Sequence, residues 1–168
     1  MHAEAFQFVA NAVRGRTFGS VLEIGGRNVN GSISVLFDAD SYTTVDIAPG
    51  DGVDIVADAA EWVPPATFDC VVCCEVFEHT PRWPEILATM AASLDLGGTA
   101  IVTAASLDRA PHSAVDGGPL HDGEFYANVD PADLAREMRA AGFSGQVSIH
   151  PRGDVYAVAT KTKAMVSA

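Results

Sequence analysis

The run Glu75-Val76-Phe77-Glu78-His79 places two carboxyl groups and an imidazole within five residues of one another. Groups gathered in this way are costly unless they are solvated, paired or bound to a cation. They can take a proton from a reacting group. They can also ligate a hard divalent ion such as Mg²⁺, which is held through one or two carboxylates and keeps waters for exchange. A second set of residues reads as a ligand cradle. The pair Gly25-Gly26 ends the apolar run at Val21–Ile24, and without a Cβ the backbone there can approach a ligand closely. Asp46 and Asp58 end two later apolar runs. A carboxylate about 20 residues beyond such a glycine turn can grip ribose hydroxyls.

Strand tips must bring these residues together. Phe6, Val9, Ala10 and Val13 follow helical spacing, and Gly15 ends that helix. Strands are predicted over 20–25, 41–47, 52–58, 68–74 and 97–105, with a short helix over 32–37 opening near Asn30 and offering free N–H groups at its start. Thr80 as N-cap and Pro81 as first residue start a helix to about Leu94. Residues 106–129 are irregular and polar. Asp130 and Pro131 start a helix with Leu134, Met138 and Ala141 on one face and Gly142 as its stop. The chain then reads as a hairpin, 145–150 and 155–161 around a turn at 151–154. The expected fold is α/β: a doubly wound, mostly parallel seven-stranded sheet with a C-terminal antiparallel hairpin strand, in three α/β/α layers. No linker or repeat interrupts it, so a single domain over 1–168 is expected. In such sheets ligands bind beyond the carboxyl ends of the strands.

Composition narrows the partners. The net charge of −12 repels phosphate backbones, and the 10 Lys and Arg are scattered, which disfavours nucleic acid and anionic membrane. No apolar run approaches the ~20 residues that span a bilayer, and the N-terminal stretch does not read as a signal peptide. The three cysteines, Cys70, Cys73 and Cys74, lie in one apolar run without a second pair at zinc spacing, so they are expected to be buried reduced thiols of a cytoplasmic protein.

A dinucleotide fingerprint starting at Gly25 needs glycines at 27 and 30, where this chain has Arg27 and Asn30, so the nicotinamide or flavin reading fails on spacing. A ribose-bearing ligand without a required pyrophosphate remains. The stretches VLEIGGRNVNG, VDI, VADAAEW, FDCVVCCEVFEH and LDLGGTAIVTA stand in the order seen in class I S-adenosylmethionine-dependent methyltransferases, and the chain resembles that family over about residues 18–145. The resemblance implies S-adenosylmethionine as cofactor and a small-molecule or terminal-group acceptor. Glu23, Gly25, Gly26 and Asn28 would line its methionine and ribose part, Asp46 would hold the ribose hydroxyls, and Ile47 would lie against the adenine. Asp58 would meet the adenine amino group, Ala59 the ring, and Cys74 and Glu75 would border the cofactor and face the substrate. One departure is Arg27, where the family usually has a glycine; the longer turn resembles a GxxNVNGS variant.

Methyl transfer to a hydroxyl needs a proton acceptor or a metal. His79, His121 and Glu75 are the candidate catalytic residues. In a subset of the family, which includes quinone-biosynthesis and small-RNA-terminus O-methyltransferases, an ExxEH run and a later histidine bind a divalent ion. Glu75, Glu78, His79 and His121 resemble that set and imply metal-assisted O-methylation with Mg²⁺. No DPPY-type tetrapeptide follows the fourth strand, where amino-methylating nucleic-acid enzymes carry it. The alternative reading is a cofactor-binding or regulatory protein that keeps the fold without the chemistry.

Overall fold

A computed structural model describes residues 2–150 and 152–162. Its strands are β1 (Thr17–Ile24), β2 (Asp38–Asp46), β3 (Ile55–Val56), β4 (Phe68–Cys74), β5 (Leu94–Ala105), β6 (Phe143–Ile149) and β7 (Asp154–Lys161). They form one sheet in the order β3-β2-β1-β4-β5-β7-β6. Neighbours from β3 to β5 are parallel, and β7 runs antiparallel to both β5 and β6. The chain therefore winds outward from β1 in one direction and from β4 in the other. The crevice between the tips of β1 and β4 is the place where such sheets receive ligands.

Burial explains the layers. Six of the seven residues of β4 are buried, as a strand covered on both faces requires. On one face helix α1 (Ala3–Val13) packs Val9 and Val13 against Val21, Val72 and Ile101. On the other, α2 (Trp83–Ala92) and α3 (Pro131–Ala140) bring Leu87, Met90, Leu134 and Met138 onto Leu22, Val71 and Val102. The α3 start follows its sequence pattern: the Asp130 carboxylate accepts from the N–H groups of Ala132 (2.7 Å) and Asp133 (3.2 Å).

Several elements differ from expectation. The helix expected over 32–37 is a single 3₁₀ turn, Ser34–Leu36. Ser32 Oγ accepts from the Ser34 N–H at 3.1 Å, and this local bond competes with a longer helix. The strand expected over 52–58 shrinks to Ile55–Val56, because Asp54 folds back to take the Thr44 N–H at 2.9 Å. The helix expected from Thr80 starts at Trp83, and Thr80 itself is extended at φ −148°. A 3₁₀ turn, Phe77–His79, precedes it, and Pro84 is the proline in its first turn. The hairpin is present, although Pro151 of its expected turn lies outside the described residues.

Candidate active site

The tip of β1 turns sharply. Gly25 adopts φ +81°, and the Gly25 and Gly26 N–H groups both donate to the Val45 carbonyl, at 2.8 and 3.3 Å. A Cβ on Gly25 would overlap Val76, and one on Gly26 would lie 2.8 Å from Thr44 Cβ. The turn is thus drawn against the tip of β2, where Asp46 stands. Its Oδ2 accepts from the Arg27 N–H (3.1 Å) and its Oδ1 from the Ala48 N–H (3.0 Å), so both oxygens are fixed and each keeps a lone pair for a ligand.

These tips border a cleft of about 1140 Å³. Glu23, Gly25, Gly26, Asp46, Ile47, Asp58, Ala59, Cys74, Glu75 and His79 all line it. Ile47 is 71% exposed there, an apolar surface open to a flat ring. Asp58 accepts from the Ala60 N–H and pairs with Arg82 at 3.0 Å. Asn28 is placed differently from expectation. It is absent from the lining, and its amide bonds Asp51 and the Gly31 N–H inside the turn.

The charges in and beneath the cleft are set by burial. Burial pushes the Glu23 carboxyl up to about 7, even though the Tyr42 hydroxyl donates to it at 2.7 Å. Burial, then the neighbouring Glu75 charge, pushes Glu78 up to about 8. Burial and then His112 lower His79 to about 4, so its ring is neutral at pH 7. Burial also raises the Cys74 thiol, which makes it inert as a nucleophile. Glu75 behaves in the opposite sense. Burial opposes its charge, but His2 and Thr103 together hold it below the usual glutamate range.

Glu23 and Glu78 have folded-state values above their ordinary 4.5. Below about pH 4.5 both are protonated folded or unfolded. As pH rises from about 4.5 to 8, the unfolded chain gives up these protons while the folded chain still holds them, so the protein becomes steadily less stable, and the loss levels off above the folded-state values. Glu78→Gln keeps an oxygen for the Ala105 N–H and removes one titration. It is expected to be more stable than wild type at pH 8.5 by about 1–2 kcal/mol and no more stable at pH 4.5, as urea unfolding at the two pH values would show.

The expected metal set does not assemble. His121 lies outside the cleft lining, half-exposed, with its ring 3.3 Å from Asp116. Glu75 is turned to Thr103 (2.8 Å) and His2 (3.2 Å). The groups that do converge are Glu78, His79 and His112, whose ligand atoms lie within 4.8 Å of one another. One carboxyl and two imidazoles are a poor match for Mg²⁺, which demands oxygen ligands. The His79, His112 and Tyr126 rings instead pack edge-on, with centroids 5.0 to 5.6 Å apart.

Among the cleft residues that the motifs do not mark are His2, Arg27 as a contact, and Arg109. Arg27 crosses the mouth of the cleft, its side chain filling the space beside Gly50 and its Nη2 donating to the Ala114 carbonyl at 3.1 Å. Nothing in the local spacing marks His2 or Arg109, because each reaches the site only through tertiary packing.

A family profile described as a methyltransferase domain matches residues 1–146. Among solved structures, DhpI in complex with SAH is 22% identical, with a TM-score of 0.71 over 96% of this chain and 84% of that one. The sugar N-methyltransferase KedS8 from Streptoalloteichus is 16% identical, with a TM-score of 0.70 over 96% of this chain and 88% of that one. The 1,6-didemethyltoxoflavin-N1-methyltransferase of Burkholderia thailandensis, with SAH bound, is 19% identical, with a TM-score of 0.67 over 96% of this chain and 78% of that one. No curated protein matches the chain. The chain belongs to the methyltransferase-domain family, and its fold is that of the class I S-adenosylmethionine-dependent methyltransferases. No helix among the described residues is long and apolar enough to cross a membrane.

Proposed function

We propose that this chain, acting as one domain, methylates a hydroxyl of a small molecule or terminal group with S-adenosylmethionine. The observation that carries the reading is the single cleft that joins the Gly25-Gly26 turn, the doubly anchored Asp46 carboxylate, the exposed face of Ile47, and Glu75. The Gly25-Gly26 turn packs against Val76 and Thr44 and lines the cleft, which fixes its backbone beside the ligand. Asp46 would hold the ribose hydroxyls, Ile47 with Asp58 and Ala59 the adenine, and Glu23 with the glycine turn the methionine part.

S-adenosylmethionine supplies an electrophilic methyl group on sulfur; its transfer breaks an S–C bond, forms an O–C bond and releases the hydroxyl proton. Glu75, held ionised at the tip of β4, takes that proton. His79, neutral and half-buried, borders the acceptor and orients it. No step needs Mg²⁺. The acidic surface directs the protein to small acceptors and away from nucleic acid, and its buried, unpaired cysteines suit the cytoplasm.

Calorimetry with S-adenosylhomocysteine and with a nicotinamide dinucleotide tests the cradle, and mass spectrometry of phenol, alcohol and amine panels tests the transfer. Binding of the first ligand alone and methylation of a hydroxyl, undiminished by a chelator, are expected. No binding of S-adenosylhomocysteine would overturn the reading, and binding without turnover would favour the regulatory alternative. Arg27→Ala removes the tie to Ala114 and is expected to weaken S-adenosylhomocysteine binding by about 2–10-fold, the value of one exposed hydrogen bond.

A further inference from the structure

We propose that His2 is a positioning residue for the reaction: α1 delivers its ring to the acceptor end of the cleft, where it fixes the Glu75 carboxylate for proton transfer. The inference rests on the function proposed above. His2 lines the cleft together with Glu75 and His79. Its Nε2 lies 3.2 Å from Glu75 Oε2 and 3.4 Å from Oδ2 of the fully buried Asp154. Its Nδ1 lies 3.2 Å from Glu4 Oε2, to which it donates when the ring is protonated. The ring is therefore surrounded by carboxylates from three elements.

Glu75 needs such a partner. Its φ of +57° is in the left-handed region, uncommon for a side chain of this size, so the backbone aims the carboxylate in an unusual direction. The Glu75 N–H donates to the Thr103 carbonyl at 2.8 Å, and the Thr103 hydroxyl donates to Oε1 at 2.8 Å. Thr103 thus holds one oxygen by a hydrogen bond, and the His2 ring faces the other as an ion pair at 3.2 Å. Removing His2 leaves Oε2 without this contact and lets the carboxyl rotate away.

The helix that brings His2 is itself docked at this end. Phe8 stacks on Tyr156 with centroids 4.6 Å apart, and Glu4 pairs with Arg152 at 2.8 Å. The charges facing the ring are Glu4 from α1, Glu75 beyond β4, and Asp154 from β7. Arg109 neutralises Asp154, Arg152 neutralises Glu4, and the Tyr156 hydroxyl bonds Asp154 at 3.3 Å. That arrangement leaves Glu75 as the carboxylate whose main countercharge is His2.

The test uses the full chain with His2→Ala and His2→Gln; glutamine restores an N–H donor near the position of Nε2. Residue-resolved carboxyl ¹³C titration reads Glu75 directly. His2→Ala is expected to raise the Glu75 midpoint by about one unit, the effect of losing a cationic neighbour. With an acceptor found by the panel, His2→Ala is expected to lower kcat about 10–100-fold, the cost of a misplaced catalytic group, while S-adenosylhomocysteine affinity holds. His2→Gln is expected to recover part of kcat. An unmoved Glu75 midpoint, or a loss of kcat matched by an equal loss of cofactor affinity, would overturn the proposal. Should wild type bind no S-adenosylhomocysteine, the proposed function falls, and the titration still judges whether His2 holds Glu75.

Discussion

Asp154→Ala is expected to lower the free energy of unfolding by about 3 kcal/mol, the lower end of the range for breaking a buried ion pair. Asp154 opens β7 and is fully buried. One oxygen is paired with Arg109, and the other is within reach of the Tyr156 hydroxyl and His2. Alanine removes the charge that all three face. Arg109 is a quarter exposed and can turn toward water, which keeps the loss from the top of the range. Chemical denaturation at pH 7 measures the difference. Asp154→Asn, which keeps the shape and loses the charge, is expected to fall between alanine and wild type. A change under about 0.5 kcal/mol, ordinary for a surface position, would show that the pair adds nothing to the fold.

The second large effect is on the cofactor. Asp46→Ala is expected to weaken S-adenosylhomocysteine binding about 5–150-fold, equivalent to about 1–3 kcal/mol for charge-assisted hydrogen bonds. The structure adds a second cause to the lost ribose contacts. The same carboxylate accepts the Arg27 and Ala48 N–H groups, so its removal also loosens the turn that faces the ligand. Asp46→Asn keeps one acceptor and is expected to lose less. Calorimetry distinguishes these outcomes, and unchanged affinity in the alanine variant would place the ribose elsewhere.

Elements governed by local chemistry could be read from residues alone. The apolar run of β4, the Asp130 cap of α3 and the paired Val-rich strands at the end of the chain each carry their own pattern. Thr80-Pro81 and Trp83-Pro84 are competing helix starts three residues apart, and the fold selects the second because Phe77 must first turn into the core. The pattern around β3 runs longer than the strand, because its alternating residues extend beyond the two that find a partner on β2. In the site, Gly25, Asp46, Asp58 and Glu75 were legible because each lies at, or within two residues beyond, the end of a strand. The choice between His112 and His121 was not. Both lie in an irregular segment without periodicity, and only tertiary packing puts His112 beside His79 and leaves His121 with Asp116. His2 likewise becomes visible only when α1 docks on β7.

The lone 3₁₀ turn after β1 has an electrical meaning. A full helix there would aim a pole equivalent to about half a positive charge at the ligand. Ser34–Leu36 is too short to build one, while the neighbouring cleft wall carries Asp46. Such a seat has little to offer a pyrophosphate and does not repel a cationic donor. It should therefore discriminate between a methyl donor that bears a fixed positive charge and the neutral thioether left after transfer, easing product inhibition with each turnover.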